Sequence, residues 1–256
     1  MIDPRSRDRS LHPIDAFVGG IAFVFTTPSM WPLAAVPAFV LTILLIGLTA
    51  LGIWGAAELS DLLIGPDREV WGEIGYWVLT VVLSLVALLI ALVLALALAE
   101  PFSAFALERI SLAQQRAVTG TAAEPPSLLL AIWLSVSCIT FSVTLGGAAL
   151  VTLFVVNFIF PPAVVVTVPL KMLVLSWMIA WNLLDYPLSL RGMGLSARLH
   201  WVWEHFGAFT MFGFLWSMLA IVPGVILVFL PMGVAGATQL VLGDDPKPAD
   251  DVGQAF

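Results

Sequence analysis

Four stretches of this chain contain no Asp, Glu, Lys or Arg, and they constrain its fold more than any other feature. They cover residues 16–57, 74–99, 125–170 and 205–243. One transmembrane helix needs ~20 apolar residues, so each stretch is long enough for at least one span. Hydrophobic residues make up 61% of the chain and charged residues only 11%, unlike a soluble domain. The sequence therefore predicts an all-α integral membrane protein.

The last stretch, Gly207–Gly243, is too long for one span and short for two. Pro223-Gly224 lies near its middle and Pro231 follows, and proline removes a backbone donor and interrupts a helix. We therefore predict a hairpin of two arms of roughly 14 to 18 residues, which can stop part-way through the bilayer. The stretch has few polar groups, so we expect it to form the wall of the domain and the oligomer contact.

Prolines also divide the first stretch. The run Thr26-Thr27-Pro28-Ser29-Met30-Trp31-Pro32 predicts that a short helix ends and a long one begins, because Thr and Ser cap helices and Pro suits the first turn. We predict the long helix from about Trp31 to Gly55 and an acidic loop over residues 56–73. The next span is predicted over Ile74–Ala99.

The second span is predicted to end at Glu100-Pro101-Phe102, followed by an amphipathic surface helix with Phe102, Phe105, Ile110 and Leu112 on its apolar face. Pro161-Pro162 then divides a further apolar hairpin, with arms over 128–160 and 163–184. The predicted fold is thus two long transmembrane helices plus two proline-broken apolar hairpins that need not cross the whole bilayer.

The polar ends and the arginines predict the orientation. Residues 1–15 are predicted to be a cytoplasmic N-terminal segment and not a cleaved signal peptide, residues 16–243 a single membrane domain, and residues 244–256 a mobile acidic tail. The arms are even in number, so both termini lie on one side. Positive charges favour the cytoplasm, and those on the side of the termini are Arg5, Arg7, Arg9, Arg109, Arg116, Arg191, Arg198 and Lys247. Both termini are therefore predicted to be cytoplasmic.

Signals for catalysis, metals and cofactors are absent from the sequence. The single Cys138 excludes an intramolecular disulfide and a cysteine-based metal site. There is no phosphate-binding loop, dinucleotide fingerprint or nucleophile elbow. His200 and His205 are five residues apart, which is not the spacing of helical zinc ligands, and a solvated interfacial face is the favoured interpretation. The net charge of −7 argues against nucleic acid. We predict no enzyme, no metal and no cofactor.

Three ionisable residues next to or inside the apolar runs are candidates for an ion path or a structural ion pair. Lys171 is the one charge inside an apolar arm, and it is either functional or an anchor that reaches the interface. Glu100 and Asp185 are predicted to end apolar helices, where an acid opposes the helix dipole. Each is therefore expected to have a basic partner, and the candidates are Arg109, Arg116, Arg191 and Arg198.

Three segments resemble one family, the bacterial CysZ-type sulfate permeases in the superfamily of the etoposide-induced membrane protein. They are LAEPFSAFALERIS (98–111), WNLLDYPLSLRGMGLSARL (181–199) and FGFLWSMLAIVPGVILVFLPMGVAGATQLV (212–241). The resemblance implies two long spans and two partly penetrating hairpins in the bacterial inner membrane, with both termini cytoplasmic. It also implies homo-oligomers and uptake of sulfate.

One departure from the family concerns its anion site. The resemblance implies that sulfate is held at the turn before the first long helix by Gly-Leu-Arg, but the matching positions here are Ser29, Met30, Trp31 and Pro32. The turn can still offer backbone N–H groups and the hydroxyls of Thr26, Thr27 and Ser29 to an anion. The candidate substrate-binding set is therefore Thr26, Thr27, Ser29, Met30 and Trp31, without an arginine.

Two functions follow from these observations. The first is transport of a small anion, sulfate or a relative, by an oligomer in the lipid bilayer. The alternative is a non-transporting membrane scaffold that keeps the fold and has lost the anion site. An intramembrane enzyme is the least supported class, because no nucleophile–base or metal constellation is present.

Overall fold

A computed structural model describes residues 12–65, 69–121, 128–219 and 225–243. Every regular element in these residues is helical, which confirms the all-α prediction. The α-helices are α1 (Pro13–Thr26), α2 (Trp31–Ile64), α3 (Val70–Thr119), α4 (Leu128–Ile159), α5 (Val164–Leu190), α6 (Leu195–Glu204), α7 (Phe206–Leu219) and α8 (Val225–Leu242). The 3₁₀ turns Pro28–Met30 and Pro161–Ala163 precede α2 and α5, so both predicted proline boundaries are confirmed.

Four helical segments are long and apolar enough to cross a membrane. They are Pro28–Ile64, Val70–Thr119, Val136–Ile159 and Pro161–Leu190. Only 6 to 17% of their most apolar windows is buried within the protein, so the exposed apolar side chains need lipid around them. The chain is thus a multi-pass membrane protein with two long spans and two hairpins. Both arms of the first hairpin are long enough to span, whereas α7 and α8 have 14 and 18 residues.

Several predicted helix ends are wrong, because helices continue through them. Residues 56–64, predicted as loop, belong to α2, and α3 runs without interruption through Glu100-Pro101. Asp185 and Pro231 likewise lie inside α5 and α8. An interior proline costs one backbone hydrogen bond, but leaving the helix within lipid would expose many unpaired backbone groups. Pro223-Gly224 lies outside the described residues, as do residues 1–11 and 244–256.

The predicted apolar face of the segment after Pro101 is also wrong in part. Phe102 and Phe105 are exposed, and the buried stripe has small and polar members. Its side chains are Ser103, Ala106, Leu107, Ile110, Ser111 and Gln114. This stripe repeats at three- and four-residue spacing and so lies on one face of α3. The segment is the end of a long helix and not a separate surface helix.

The chain comprises two compact units. One is Ala35–Ala106, which contains most of α2 and the first part of α3. A Cβ built on Gly52 would lie 2.9 Å from the Cβ of Ala87, and one on Gly75 would lie 3.8 Å from Cδ1 of Ile64. The two helices therefore run antiparallel in close contact. The other unit comprises Met1–Ala34 and Leu107–Phe256. The prediction of one membrane domain over 16–243 stays a prediction.

Helices α5 and α8 form the centre of the second unit. Helix α8 packs against α1, α5 and α7, while α5 packs against α4, α7 and α8. Residues 230–238 of α8 are all buried, with Val234, Ala235 and Ala237 fully inaccessible. The expectation that this stretch forms the wall and the oligomer contact is therefore wrong for residues 230–238 of α8. The small residues of α8 allow α1, α5 and α7 to approach it on several sides, and α8 is therefore buried within this unit.

Glycines mark the closest helix crossings of this unit. A Cβ on Gly20 of α1 would lie 2.3 Å from the Met232 carbonyl oxygen, and one on Gly236 would lie 2.6 Å from that of Ala16. A Cβ on Gly213 of α7 would lie 2.1 Å from the Ser176 carbonyl oxygen of α5. Such backbone contacts are the main source of helix association in lipid, where apolar burial gives little preference for protein over acyl chains.

Candidate functional site

The turn between α1 and α2 holds the predicted anion-binding residues. The Met30 N–H donates to the Thr27 carbonyl at 2.9 Å, and the Trp31 N–H donates to the Pro28 carbonyl. The Thr26 hydroxyl donates to the Ala22 carbonyl at 2.7 Å. The indole N–H of Trp31 donates to the Val24 carbonyl at 3.0 Å. These four donors all have acceptors on α1 or within the turn.

The remaining polar groups of the turn are more accessible. Ser29 is exposed and Thr27 is half-buried, and neither side chain donates a hydrogen bond within the part of the chain that the structure describes. The site therefore offers two hydroxyl groups without a positive side chain. Such a site can contact an anion, but it lacks the charge-assisted bonds that hold a dianion firmly.

A buried ion pair joins α5 and α6. Nη1 of Arg198 contacts Oδ1 of Asp185, and their side chains are 1% and 13% exposed. Asp185 thus pairs with one of the four arginines considered from the sequence. The Ser189 hydroxyl, one helical turn further along α5, donates to the same carboxylate oxygen at 3.3 Å.

Nearly all donor capacity of Arg198 is used inside this cluster. Nε donates to the Met193 carbonyl at 2.7 Å, and Nη2 donates to the Ser189 hydroxyl oxygen at 2.7 Å. Nη1 also lies 2.9 Å from Sγ of Cys138 on α4. A guanidinium has five N–H donors, so four are occupied. Arg198 consequently links α6 to α4 and α5 through hydrogen bonds, and it has at most one N–H donor left for a substrate.

A second polar cluster lies where α3, α5 and α8 meet within the same unit. The hydroxyls of Ser111 and Thr238 are 2.7 Å apart and buried. Nη2 of Arg191 donates to the Val241 carbonyl at 3.1 Å. A cavity of about 10 Å³, lined by these residues and Gln115, lies between them. It has room for about one water molecule and is too small for sulfate.

Lys171 lies in the hairpin of α4 and α5, away from both clusters. Its side chain is half-buried, and Nζ lies 5.7 Å from the centroid of the Phe154 ring. One turn nearer the Pro161–Ala163 turn, the Thr167 hydroxyl donates to Oδ1 of Asn157. Lys171 therefore has polar neighbours at one end of the hairpin.

Two other predicted candidates lie on α3. Arg109 is exposed near the end of α3, and Glu100 lies inside α3. His200 and Glu204 form an exposed pair with Nε2 and Oε1 3.1 Å apart, while Nδ1 of His205 lies 2.9 Å from the Trp201 carbonyl oxygen. Among the described residues, no three His, Cys, Asp or Glu side chains converge as metal ligands would.

Several polar residues inside the helices are not among those predicted from the sequence. Asn157 and Thr167 lie in the same apolar hairpin as Lys171, and a strongly polar side chain such as Asn157 is itself a signal in an apolar helix. Ser111 and Thr238 carry no comparable signal, because isolated hydroxyls are frequent in membrane helices and usually bond their own backbone. Only the packing of α8 shows that these two meet.

Comparison with known proteins assigns the family. The family described as "Sulfate transporter CysZ/Etoposide-induced protein 2.4" matches residues 16–231. The chain belongs to this family. The match runs from the start of α1 into α8, so it covers both units and the turn that holds Ser29. The CysZ-like resemblance of the three segments is thereby confirmed.

Individual relatives of the CysZ family are similar over shorter segments. The "Sulfate transporter CysZ" of Pectobacterium atrosepticum is 38% identical over 65 residues, 25% of this chain and 24% of that protein. Two proteins of the same name from strains of Pseudomonas fluorescens are 33% and 34% identical over 86 residues, 34% of this chain and 34% and 33% of theirs. The matched segments thus span about a quarter to a third of the curated relatives. These relatives are named as transporters and not as enzymes.

Proposed function

We propose that this chain is a transport protein of the bacterial inner membrane that mediates uptake of sulfate or a related small anion. The observation that carries the proposal is the family match over residues 16–231, which includes nearly all of the apolar helices. The names of the relatives support sulfate as the first anion to test.

We further propose that the anion contacts the turn between α1 and α2. The groups available there are the hydroxyls of Thr27 and Ser29, beside Thr26, Met30 and the half-exposed Trp31. Since none of these side chains is positively charged, we expect weak binding and little discrimination among oxyanions. Helix α2 begins at this turn, and the positive end of its dipole is the favourable partner for the anion.

The proposed assembly is a homo-oligomer with both termini in the cytoplasm. The support for the orientation is the distribution of arginines, because Arg109 and Arg116 in the last part of α3, Arg191 directly after α5 and Arg198 in α6 all lie on one predicted side. The support for the oligomer is the resemblance to the family alone.

The test is uptake of radiolabelled sulfate into proteoliposomes with verified incorporation of the protein. We expect uptake above that of empty vesicles, with inhibition by excess unlabelled sulfate and weaker inhibition by chloride. Uptake equal to that of empty vesicles would contradict transport of sulfate. It would favour the alternative, a membrane scaffold that has kept the fold and lost the anion site.

A matched pair of variants tests the turn. The double variant Thr27→Val with Ser29→Ala removes the two available hydroxyls and should raise the half-saturating sulfate concentration. Thr42→Val is the control, because the Thr42 hydroxyl already bonds the Ala38 carbonyl at 2.8 Å within α2. Equal uptake by both variants and the unaltered protein would show that the anion does not contact this turn. It would leave the proposal of transport intact.

A further inference from the structure

The end of the α4–α5 hairpin near Pro161 carries a set of donors without a matching anion. Lys171 has three ammonium N–H donors, and no carboxylate pairs with it among the described residues. Asn157 accepts the Thr167 hydroxyl through Oδ1, which leaves its amide NH₂ group as a further donor. Within the described residues, this amide has no acceptor.

These groups lie next to one another across the two helices. Thr167 and Lys171 are four residues apart on α5, and Phe154 and Asn157 are three apart on α4, so each pair occupies one helix face. The Thr167–Asn157 hydrogen bond and the contact of Lys171 with the Phe154 ring join the two faces. Lys171 and Asn157 are therefore each one helical turn from the residue that the other contacts across the helix pair.

The position in the hairpin suits a ligand at the membrane surface. The segment Pro161–Leu190 has 30 residues, about 45 Å of helix, whereas the hydrocarbon layer is ~30 Å thick. Helix α5 is therefore longer than the apolar layer is thick, and the long side chain of a lysine inside it can extend toward the headgroups. Phe154 is 66% exposed, so the ammonium group lies on the outer surface of the hairpin.

We propose that Lys171 and Asn157 form an oxyanion-binding site at this end of the hairpin. A tetrahedral oxyanion fits the donors, because it can accept from the ammonium and the amide together and neutralise a charge that is costly in lipid. Its source is the phosphodiester of an anionic lipid or a free sulfate ion. The exposed position favours the lipid. This inference goes beyond the proposed transport function and does not depend on it.

The test measures bound lipid directly. Purified protein is exchanged into nanodiscs of phosphatidylcholine with phosphatidylglycerol and released into a native mass spectrometer. We expect the unaltered protein and Lys171→Arg to retain phosphatidylglycerol. Lys171→Gln and Asn157→Leu should bind it at least about tenfold more weakly, as the loss of a charge-assisted hydrogen bond implies. Met172→Ala is the control, because Met172 is an exposed neighbour on the same helix.

A second arm distinguishes the two sources. Sulfate is titrated into nanodiscs of phosphatidylcholine alone, and its binding is followed by the shift in melting temperature. Retention of phosphatidylglycerol that depends on Lys171 identifies the lipid, while a sulfate shift that depends on Lys171 identifies the free ion. Variants that bind both as well as the unaltered protein does would overturn the site. Since binding is the readout, a failure of sulfate uptake leaves this outcome unaffected.

Discussion

Arg198 is almost completely buried, and four of its donors are used by groups on α4, α5 and the turn before α6. Removing water from a guanidinium and a carboxylate is costly, and the pair is retained only because further hydrogen bonds complete it. At the scale of single residues, this cluster is the feature on which the position of α6 depends most. The cluster holds α6 against α4 and α5, and it is not a substrate site.

The first prediction concerns this pair. Arg198→Met should destabilise the protein by roughly 3–5 kcal/mol, because it leaves the Asp185 carboxylate buried without the guanidinium charge that balances it. The double variant Asp185→Leu with Arg198→Met should recover much of this loss, because no buried charge then remains. Unfolding in detergent, followed by circular dichroism, measures both.

The exposed pair of His200 and Glu204 is the control for that experiment. Their side chains are 75% and 54% exposed, and His200→Ala should change stability by less than about 1 kcal/mol. If Arg198→Met is as mild as His200→Ala, the buried cluster does not hold α6 in place.

The second prediction concerns the hydrogen bond between Ser111 and Thr238. Ser111→Ala should cost about 0.5–2 kcal/mol, because it leaves the buried Thr238 hydroxyl with only the Val234 carbonyl as a partner. Ser196→Ala, at an exposed position on α6, should have almost no effect. Equal melting temperatures for both variants would contradict a stabilising role for this bond.

At the scale of helices, backbone contacts at glycine decide how the second unit packs. Gly213 and Gly207 lie on the same helix, α7, and provide a direct comparison. A Cβ at Gly213 would collide with the Ser176 carbonyl oxygen, whereas nothing lies within 4 Å of a Cβ at Gly207. The carbonyl belongs to the backbone of α5 and cannot move aside without shifting that helix.

The third prediction follows from this difference. Gly213→Val should destabilise the protein by about 1–3 kcal/mol or more through overpacking, while Gly207→Val should be neutral. Both substitutions add the same side chain to α7, so their difference in melting temperature mainly reflects the contact with α5. Similar melting temperatures would show that α5 and α7 do not meet at Gly213.

At the scale of the whole molecule, the arginines determine the predicted orientation in the membrane. The fourth prediction is that residues near the 65–69 connection and the Pro161 turn face the periplasm. Leu62→Cys and Phe160→Cys should react with an impermeant maleimide in intact spheroplasts. Ser196→Cys and Thr121→Cys should react only after lysis.

The native cysteine gives little background in that labelling experiment, because Cys138 is buried. Each of the four positions is exposed, so lack of labelling on one side is not caused by burial. The opposite labelling pattern would reverse the orientation. It would also place the turn between α1 and α2 at the other surface, and the direction of transport would need to be reconsidered.

The candidate site could be anticipated only in part. Lys171 and Asp185 stand out in the sequence because charges are rare in apolar helices. The sequence could not select Arg198 from four arginines for Asp185, nor show that Asn157 and Thr167 meet near Lys171. Those pairings depend on helix packing between residues that are distant along the chain.

The sequence by itself determined the class of the protein and its main boundaries. Lipid offers no hydrogen-bond partners, so the long uncharged runs must be helical. The prolines at 28 and 161–162 coincide with the turns between helices, because proline has no backbone N–H to donate to the preceding turn. Tertiary structure decided that α3, α5 and α8 continue through Pro101, Pro187 and Pro231, where the surrounding helix outweighs one lost hydrogen bond. It also placed α8 inside its unit, because the burial of glycines and alanines depends on which other helices approach them.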